Sequence, residues 1–198
     1  MKKSDFNYPF GLPLKHNFSE YVYYENLFNV DEIERVLAYW DTSKSIDATV
    51  SGEEQYKADL RKSSVMFLEA GDDEEWLYQK LMQLALVSNS ERFWFDLSGF
   101  FQELQLTQYT EGHFFDWHMD FGAGEISHRK LSMTVQLSDP GEYEGGDLEF
   151  MINQKVVSAP RSKGTVIVFP SFILHRVTPV TKGVRQSIVG WASGTPFR

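Results

Sequence analysis

The stretch FFDWHMDFG, residues 114–122, places an imidazole and a carboxylate, His118 and Asp120, on either side of a single residue. In extended backbone, side chains at positions i and i+2 point to the same side. Both groups could therefore reach one metal ion while Met119 turns away. A His-x-Asp pair also arises by chance, so it becomes informative only if the chain supplies a third ligand.

A third ligand has to come from another part of the chain, and His175 is the strongest candidate. It is flanked by strand-like sequence in VIVFPSFILHRVTPV, whereas the other histidines lie in the N-terminal segment, a glycine-containing loop and a polar stretch: His16, His113 and His128. A hydrogen-bonded core position is the alternative for His175. The chain has no cysteine, so a metal would be bound by nitrogen and oxygen ligands. Two His and one carboxylate with open coordination positions are typical of non-haem Fe(II) oxygenases.

A cation on an apolar strand suggests a site for a carboxylate. Arg185 lies in VRQSIVGWA, where the other residues are mostly apolar or aromatic, and such surroundings disfavour an unpaired charge. The planar guanidinium matches a carboxylate in a bidentate manner. The alternative is an arginine at a strand edge, whose charged end reaches water.

The composition limits the possible functions. A chain of 198 residues, 42% hydrophobic and 15% aromatic, fits one globular domain, and we expect a single domain over residues 1–198. The net charge of −9 disfavours a broad nucleic-acid-binding face. Neither a secretory signal nor a run of ~18 apolar residues is visible. We therefore expect a cytoplasmic protein.

Two helices are predicted in the N-terminal region. The first covers residues 29–40, where Asn29 can cap the helix together with Glu32 and an apolar stripe follows. The second covers about 73–87, with acidic residues in its first turn. The polar residues 41–60 between them are predicted to form a loop.

The sequence changes to a β-rich pattern at residue 92. RFWFDLS alternates like a strand, and the segments DPGEYEGGD and APRSKG are predicted to be turns. Further strands are predicted at residues 103–109, 129–138, 147–151, 155–158, 164–169, 173–178 and 184–191. We expect residues 1–91 to form a helical and β support region for a β-sandwich core over residues 92–198.

Residues 109–191 resemble the catalytic core of the Fe(II)- and 2-oxoglutarate-dependent dioxygenases, and specifically the prolyl 4-hydroxylase-like group. The matching segments follow the family order: YTEGHFFDWHMD, RKLSMTVQLSD, YEGGDLEF and KGTVIVFPSFILHRVTPVTKGVRQSIVGW. YYENLFNVDEIERVL resembles the helical lead-in of this group less specifically. The resemblance implies a mainly β fold with flanking helices around a double-stranded β-helix, which is a jelly-roll, cupin-like core.

The resemblance also implies roles for individual residues. The family's catalytic iron ligands fall on His118, Asp120 and His175. Four positions match residues that contact the cosubstrate: Arg185, Ser187, Tyr109 and Gln136. Of these, Tyr109 and Gln136 could instead be structural. Trp191 is expected to wall the pocket, although a core aromatic would look the same, and Arg129 could face the substrate or end a strand.

The implied reaction is hydroxylation of an unactivated C–H bond, expected on a prolyl or other amino-acid residue, with release of succinate and CO2. The implied cofactors are Fe(II), 2-oxoglutarate and O2, with ascorbate as an additional reductant. A peptide, protein or amino-acid substrate is expected, while membrane and nucleic-acid partners are not. We expect residues 43–60 and 122–128 to form the substrate-selecting loops.

Three alternatives remain at the level of sequence. A non-haem halogenase shares fold and cofactors, but that group replaces the ligand carboxylate with Ala or Gly, whereas this chain has Asp120. An AlkB-type nucleic-acid dealkylase usually has a second arginine at the position that Trp191 occupies here. A catalytically silent jelly-roll module that binds a metabolite tends to lack a metal ligand, and this chain has all three.

Overall fold

The computed structural model describes residues 19–48 and 60–197 of the chain. His16 and residues 49–59 of the first predicted substrate loop lie outside the described residues. No helix in the described part combines the length and the hydrophobicity that a membrane span requires.

Both predicted helices are confirmed, as α1 (Val30–Leu37) and α2 (Glu75–Ser88). The predicted capping box begins α1: the Asn29 side chain accepts a hydrogen bond from the Glu32 backbone N–H at 2.9 Å, and the Glu32 carboxylate accepts one from the Asn29 N–H at 2.9 Å. This reciprocal arrangement satisfies two N–H groups that the first helical turn leaves free. The α1 helix ends three residues before the predicted boundary.

The prediction of a strand over RFWFDLS was wrong for its first five residues. The α2 helix continues into a π-helical turn, Asn89–Phe93, and Trp94 adopts a left-handed backbone with φ +54°. The Asn89 side-chain amide then donates to the Phe95 carbonyl and accepts from the Phe95 N–H, each at 2.8 Å. These local bonds compete with strand pairing, so the strand begins only at Leu97.

The strands of the described residues are, in chain order, β1 (Val22–Tyr24), β2 (Ile46–Asp47), β3 (Arg61–Lys62), β4 (Ser64–Leu68), β5 (Leu97–Phe100), β6 (Leu104–Tyr109), β7 (Phe114–His118), β8 (Arg129–Gln136), β9 (Tyr143–Gly145), β10 (Leu148–Ile152), β11 (Lys155–Ser158), β12 (Val166–Pro170), β13 (His175–Val177), β14 (Val180–Gly183) and β15 (Arg185–Gly194). The β9 strand lies inside DPGEYEGGD, so the prediction of a turn there was wrong in part.

Two antiparallel sheets face each other, which confirms the predicted jelly roll. The large sheet has the order β1-β12-β8-β15-β6-β4-β2, and the small sheet has the order β11-β10-β13-β7-β3. Successive strands β6, β7 and β8 alternate between the two sheets, as do β12, β13 and β15. This alternation is the winding of a double-stranded β-helix.

The N-terminal region contributes strands as well as helices. The β4 strand extends the large sheet by pairing with β6, and β3 extends the small sheet by pairing with β7. The β1 strand pairs with β12 at the other edge of the large sheet. The expected boundary between residues 1–91 and 92–198 remains a prediction.

The two faces of the large sheet differ in chemistry. One face packs against α2 and its neighbours through fully buried residues of β6, β8 and β15: Leu104, Leu106, Leu131, Met133 and Ile188. The alternate positions point between the sheets and are mostly polar, although they are buried: Gln105, Thr107, Ser132, Thr134, Gln136, Arg185 and Ser187. Buried polar groups are costly unless they find partners. A polar ligand bound between the sheets would supply such partners.

Candidate active site

The small sheet brings His118 and His175 together. The two residues are direct register partners on β7 and β13, and their ring centroids lie 4.2 Å apart. Asp120 follows the end of β7, with its carboxylate oxygens 3.9 Å from His118 Nε2 and 3.6 Å from His175 Nε2. One ligand atom from each of the three residues lies within 4.8 Å of the others. In the described part of the chain, no other group of His, Cys, Asp or Glu residues has this arrangement.

Backbone carbonyls fix how both imidazoles point. His118 Nδ1 lies 2.7 Å from the Asp116 carbonyl, and His175 Nδ1 lies 2.8 Å from the Ile173 carbonyl. A carbonyl only accepts, so each Nδ1 carries the hydrogen and each Nε2 keeps its lone pair for the space beside Asp120. Metal-binding histidines are commonly oriented by such bonds.

Electrostatics keep His118 and Asp120 in the protonation states that bind metal. Burial, and after it the neighbouring His175, lowers the pKa of His118 to about 3, so its imidazole is neutral. Burial alone would raise the pKa of Asp120, but the two imidazoles, the Ser132 hydroxyl and Arg129 together hold it below its usual value. Neutral imidazole and ionised carboxylate are the forms that coordinate a cation.

The donor set fits a divalent transition metal. Donors bonded to one ion at roughly 2.1 Å and at right angles lie about 3 Å apart, so the observed separations of 3.6 and 3.9 Å need only a small contraction. Zinc accepts the same donors. Two imidazoles and one carboxylate, with no thiolate, are what non-haem Fe(II) takes.

Arg185 lies fully buried between the sheets, with 1% of its surface exposed. Its guanidinium donates to the Gln136 side-chain oxygen at 3.0 Å and to the Ser187 hydroxyl at 3.4 Å. It also lies 5.4 Å from the centre of the Tyr109 ring. Arg185 Nε has no hydrogen-bond partner among the described residues, and no carboxylate of that part of the chain pairs with the cation. The surroundings therefore orient the charge without neutralising it.

One cavity of about 580 Å³ is lined both by His118, Asp120 and His175 and by Arg185. Six of the seven residues predicted for the site line it: His118, Asp120, His175, Arg185, Ser187 and Tyr109. The seventh, Gln136, reaches the site through its bond to Arg185. His118 and His175 lie on the small sheet and the Arg185 guanidinium lies on the large sheet, so a molecule in the cavity can contact both.

Arg129 and Trp191 also line this cavity. The Arg129 guanidinium lies 3.7 Å from the centre of the Trp191 ring and donates to the Gln102 side chain at 2.6 Å. It reaches the backbone oxygen of Asp120 at 3.3 Å. Arg129 thus lines the cavity and is also the first residue of β8, so a contact with the substrate stays a prediction.

Sequence reasoning missed Ser132, whose hydroxyl lies 2.6 Å from Asp120 Oδ2. The sequence does indicate that Ser132 shares a strand face with other polar residues, because Ser132, Thr134 and Gln136 alternate with apolar residues along β8.

Sequence reasoning also missed the apolar rim of the cavity, where Phe67, Phe101 and Met119 are 46%, 66% and 52% exposed. In the second predicted substrate loop, Ile126 lines the cavity from a single 3-10 turn. The role of that loop stays a prediction.

The chain resembles known proteins in both sequence and structure. Residues 104–193 match the model of the 2OG-Fe(II) oxygenase superfamily. A PKHD-type hydroxylase of Prochlorococcus marinus is 27% identical over 162 residues, which cover 82% of this chain and 70% of that protein. A PKHD-type hydroxylase of Hyphomonas neptunium is 42% identical over 85 residues, but the match covers only 41% of this chain and 38% of the relative.

Solved structures with the same fold include prolyl hydroxylases. A prolyl-4-hydroxylase from Pseudomonas putida superposes with a TM-score of 0.72 at 20% identity, covering 89% of this chain and 93% of that chain. A prolyl hydroxylase from Trichoplax adhaerens, in complex with a hypoxia inducible factor peptide fragment, has a TM-score of 0.72 at 14% identity. That match covers 88% of this chain and 83% of the other.

Proposed function

We propose that this chain is a 2OG-Fe(II) oxygenase that hydroxylates an unactivated C–H bond with Fe(II) and 2-oxoglutarate, and the match of residues 104–193 to the model of that superfamily supports the proposal. The observation that carries the proposal is the shared cavity. A cluster of two imidazoles and one carboxylate opens into the same space as a buried arginine that lacks a counter-charge.

His118, Asp120 and His175 are the residues that would hold Fe(II). The ion supplies the redox chemistry that lets O2 react, which protein side chains cannot provide. The chain contributes two neutral imidazoles and one anion, whose combined charge of −1 suits a divalent cation. It also contributes apolar walls, among them Phe115, whose ring stacks on His118 at 3.4 Å.

Arg185 is proposed to bind the distal carboxylate of 2-oxoglutarate. A buried guanidinium without an anionic partner is unfavourable, and a carboxylate from the cosubstrate would supply that partner. Gln136 and Ser187 hold the guanidinium in place from two sides. Tyr109, which is 3% exposed, walls the same end of the cavity.

The proposed overall reaction balances with one molecule of each reactant. 2-Oxoglutarate, O2 and R–H give succinate, CO2 and R–OH. Decarboxylation of 2-oxoglutarate provides two electrons and the C–H bond provides two, which together reduce O2. One oxygen atom enters succinate and the other enters the product. Ascorbate is proposed only as an auxiliary reductant that keeps the iron ferrous.

The substrate is proposed to be a prolyl or other amino-acid residue in a peptide or protein. Support comes from the names of the relatives, which are PKHD-type hydroxylases and prolyl hydroxylases, one of them bound to a peptide. The exposed apolar rim formed by Phe67, Phe101 and Met119 is compatible with peptide side chains next to the target residue.

Succinate formation tests this proposal. Wild-type protein with Fe(II) and 2-oxoglutarate is incubated with a panel of prolyl and other peptides, free amino acids and a methylated oligonucleotide. We expect succinate release that a peptide or amino acid stimulates, with a gain of one oxygen atom in that substrate by mass spectrometry. His175→Ala is the inactive control. Stimulation by the oligonucleotide alone would favour the nucleic-acid dealkylase. Succinate no higher than in His175→Ala under every condition would favour the silent binding module.

A further inference from the structure

The carboxylate of Asp120 is attached to the large sheet by two buried serines. Ser132 Oγ lies 2.6 Å from Asp120 Oδ2 and 3.0 Å from Ser171 Oγ. Both serines are 0% exposed and Asp120 is 8% exposed. The two hydroxyl groups are therefore shielded from bulk water.

The chemistry of the carboxylate and the two hydroxyl groups determines which group donates and which accepts in each hydrogen bond. An ionised carboxylate can only accept, so Ser132 gives its single hydroxyl hydrogen to Asp120. The Ser132 oxygen is then available to accept a hydrogen from Ser171. The result is a relay that runs from Ser171 through Ser132 to Asp120.

The topology explains why such a link is needed. His118 and His175 are held on the small sheet by strand pairing, but Asp120 lies beyond the end of β7. Ser132 belongs to β8, and Ser171 directly follows β12, which is the neighbour of β8 in the large sheet. The Ser171 carbonyl also accepts hydrogen bonds from the backbone N–H groups of Asp120 at 2.9 Å and Phe121 at 3.1 Å. The segment that carries Asp120 is therefore hydrogen-bonded to the edge of the large sheet, which also carries Arg185.

A competing partner for the carboxylate lies close by. Arg129 Nη1 is 4.0 Å from Asp120 Oδ1 and already donates to the backbone oxygen of Asp120 at 3.3 Å. Oδ1 is thus almost equally distant from Arg129 Nη1, at 4.0 Å, and from His118 Nε2, at 3.9 Å. The bond from Ser132 holds Oδ2, which lies 3.6 Å from His175 Nε2, and so opposes a rotation of the carboxylate that would carry it away from the imidazoles toward this cation.

We propose that Ser132 is a positioning residue for the metal site, and that Ser132 and Ser171 together hold the Asp120 carboxylate in the orientation that binds metal rather than Arg129. This inference rests on the proposed function, because it takes Asp120 to be a metal ligand. It assigns a role to two residues that do not themselves touch the metal.

The test measures metal binding without turnover. Mn(II) affinity is determined under nitrogen for wild-type protein and for Ser132→Ala, Ser132→Thr and Ser171→Ala. Ser88→Ala is the matched control, because Ser88 is also 0% exposed and its hydroxyl bonds Tyr24 at 3.1 Å, away from the site. Loss of a group that orients a metal ligand typically costs 10–100-fold in affinity. We expect a loss of about tenfold or more in Ser132→Ala, a smaller loss in Ser171→Ala, and wild-type affinity in Ser132→Thr and Ser88→Ala.

Two further measurements separate positioning from loss of stability. The visible spectrum of the Co(II)-loaded protein should change in Ser132→Ala and remain unchanged in Ser88→Ala. In an Asp120→Ala background, the additional Ser132→Ala change should leave the residual Mn(II) affinity unaltered. If Ser132→Ala does not fold, the Mn(II) affinities of the other three variants decide the question. A loss in Ser171→Ala alone, with wild-type affinity in Ser132→Thr and Ser88→Ala, would support the relay.

The possible failures are distinguishable. Wild-type protein that binds no Mn(II) or Co(II) would contradict the proposed function. Wild-type protein that binds metal while Ser132→Ala and Ser171→Ala bind it equally well would overturn the relay and leave the proposed function standing.

Discussion

His118 and His175 lie directly opposite each other on β7 and β13, and each ring is turned by a hydrogen bond from Nδ1 to a nearby backbone carbonyl. Strand pairing therefore fixes the spacing of the two imidazoles, and local backbone fixes their orientation. Neither feature depends on a bound ion. The histidine half of the site is formed by the fold itself, whereas the Asp120 carboxylate depends on contacts from the facing sheet.

Arg185→Leu should weaken 2-oxoglutarate binding by at least tenfold. Removing one partner of a buried charge pair costs roughly 2–5 kcal/mol, which corresponds to about 30-fold or more in affinity. Arg185→Lys should retain part of the binding, because it keeps the charge and loses the planar fork. Titration calorimetry under nitrogen, with Fe(II) present, measures the 2-oxoglutarate affinity of both variants.

Metal affinity is the control for Arg185→Leu and Arg185→Lys, and it should stay at the wild-type value in both variants. If Arg185→Leu binds 2-oxoglutarate as tightly as wild type, or loses its fold, then Arg185 is a structural residue.

Gly146→Ala should also weaken 2-oxoglutarate binding, through Arg185. A Cβ atom at Gly146 would lie 3.0 Å from Arg185 Cδ and 2.9 Å from Val180 Cγ2. Gly112→Ala is the matched control: Gly112 has φ +77° and Gly146 has φ +63°, but a Cβ at Gly112 meets nothing within 4 Å. Both variants should lose stability from the left-handed backbone. Only Gly146→Ala should lose affinity for the cosubstrate, and equal affinities in the two variants would contradict the contact argument.

Lys130→Met should stabilise the protein near neutral pH. Lys130 is 2% exposed, its Nζ has no hydrogen-bond partner among the described residues, and burial lowers the pKa of its ammonium group. The folded chain therefore releases this proton at a lower pH than the unfolded chain does. Wild-type stability rises with pH between that lowered pKa and the ordinary value of 10.5.

The melting temperature of Lys130→Met should thus exceed that of wild type by about 2 °C at pH 7.5, and the difference should shrink toward pH 10.5. Lys130 Nζ also lies 3.6 Å from the centre of the Phe197 ring. A lower melting temperature for the variant at pH 7.5 would mean that this cation–π contact outweighs the desolvation of the ammonium group.

Turnover should give hydroxylation even in excess halide. As the proposed metal ligand, the Asp120 carboxylate would take the position that a chloride or bromide ion would need, and the Ser132 hydroxyl bonds this carboxylate. Mass spectrometry of products formed in molar chloride or bromide should detect an added oxygen and no halogen. A halogenated product from the wild-type protein would contradict the role of Asp120.

Strand geometry is short-ranged, so the two-residue spacing of His118 and Asp120 favours both side chains on one side of an extended backbone. Asp120 lies beyond the end of β7, however, and its carboxylate comes beside the two imidazoles through bonds to Ser132 and Ser171 that the spacing does not predict. Arg185 and Ser187 follow the same period on β15, so their common direction was predictable too. The resemblance to a family put His175 in one group with His118 and Asp120, which residue spacing alone cannot do for distant segments.

Other parts of the site depend on contacts between distant segments. Ser171 reaches Ser132 only because β12 pairs with β8, and no local pattern indicates that approach. The π-helical turn at Asn89–Phe93 was missed because one side chain, that of Asn89, satisfies the backbone of Phe95 and delays the strand. Alternating apolar residues predict a strand only where no such local bond competes.

The most direct test of the account is the visible absorption of the anaerobic protein titrated with Fe(II) and then with 2-oxoglutarate. We expect a weak metal-to-ligand charge-transfer band in wild-type protein that requires both additions. The band should be lost in His118→Ala and in His175→Ala, and in Arg185→Leu it should appear only at much higher 2-oxoglutarate concentration. A band that persists unchanged in both histidine variants, or no band in wild-type protein that has bound Fe(II), would contradict the claim that this cavity holds the metal and the cosubstrate together.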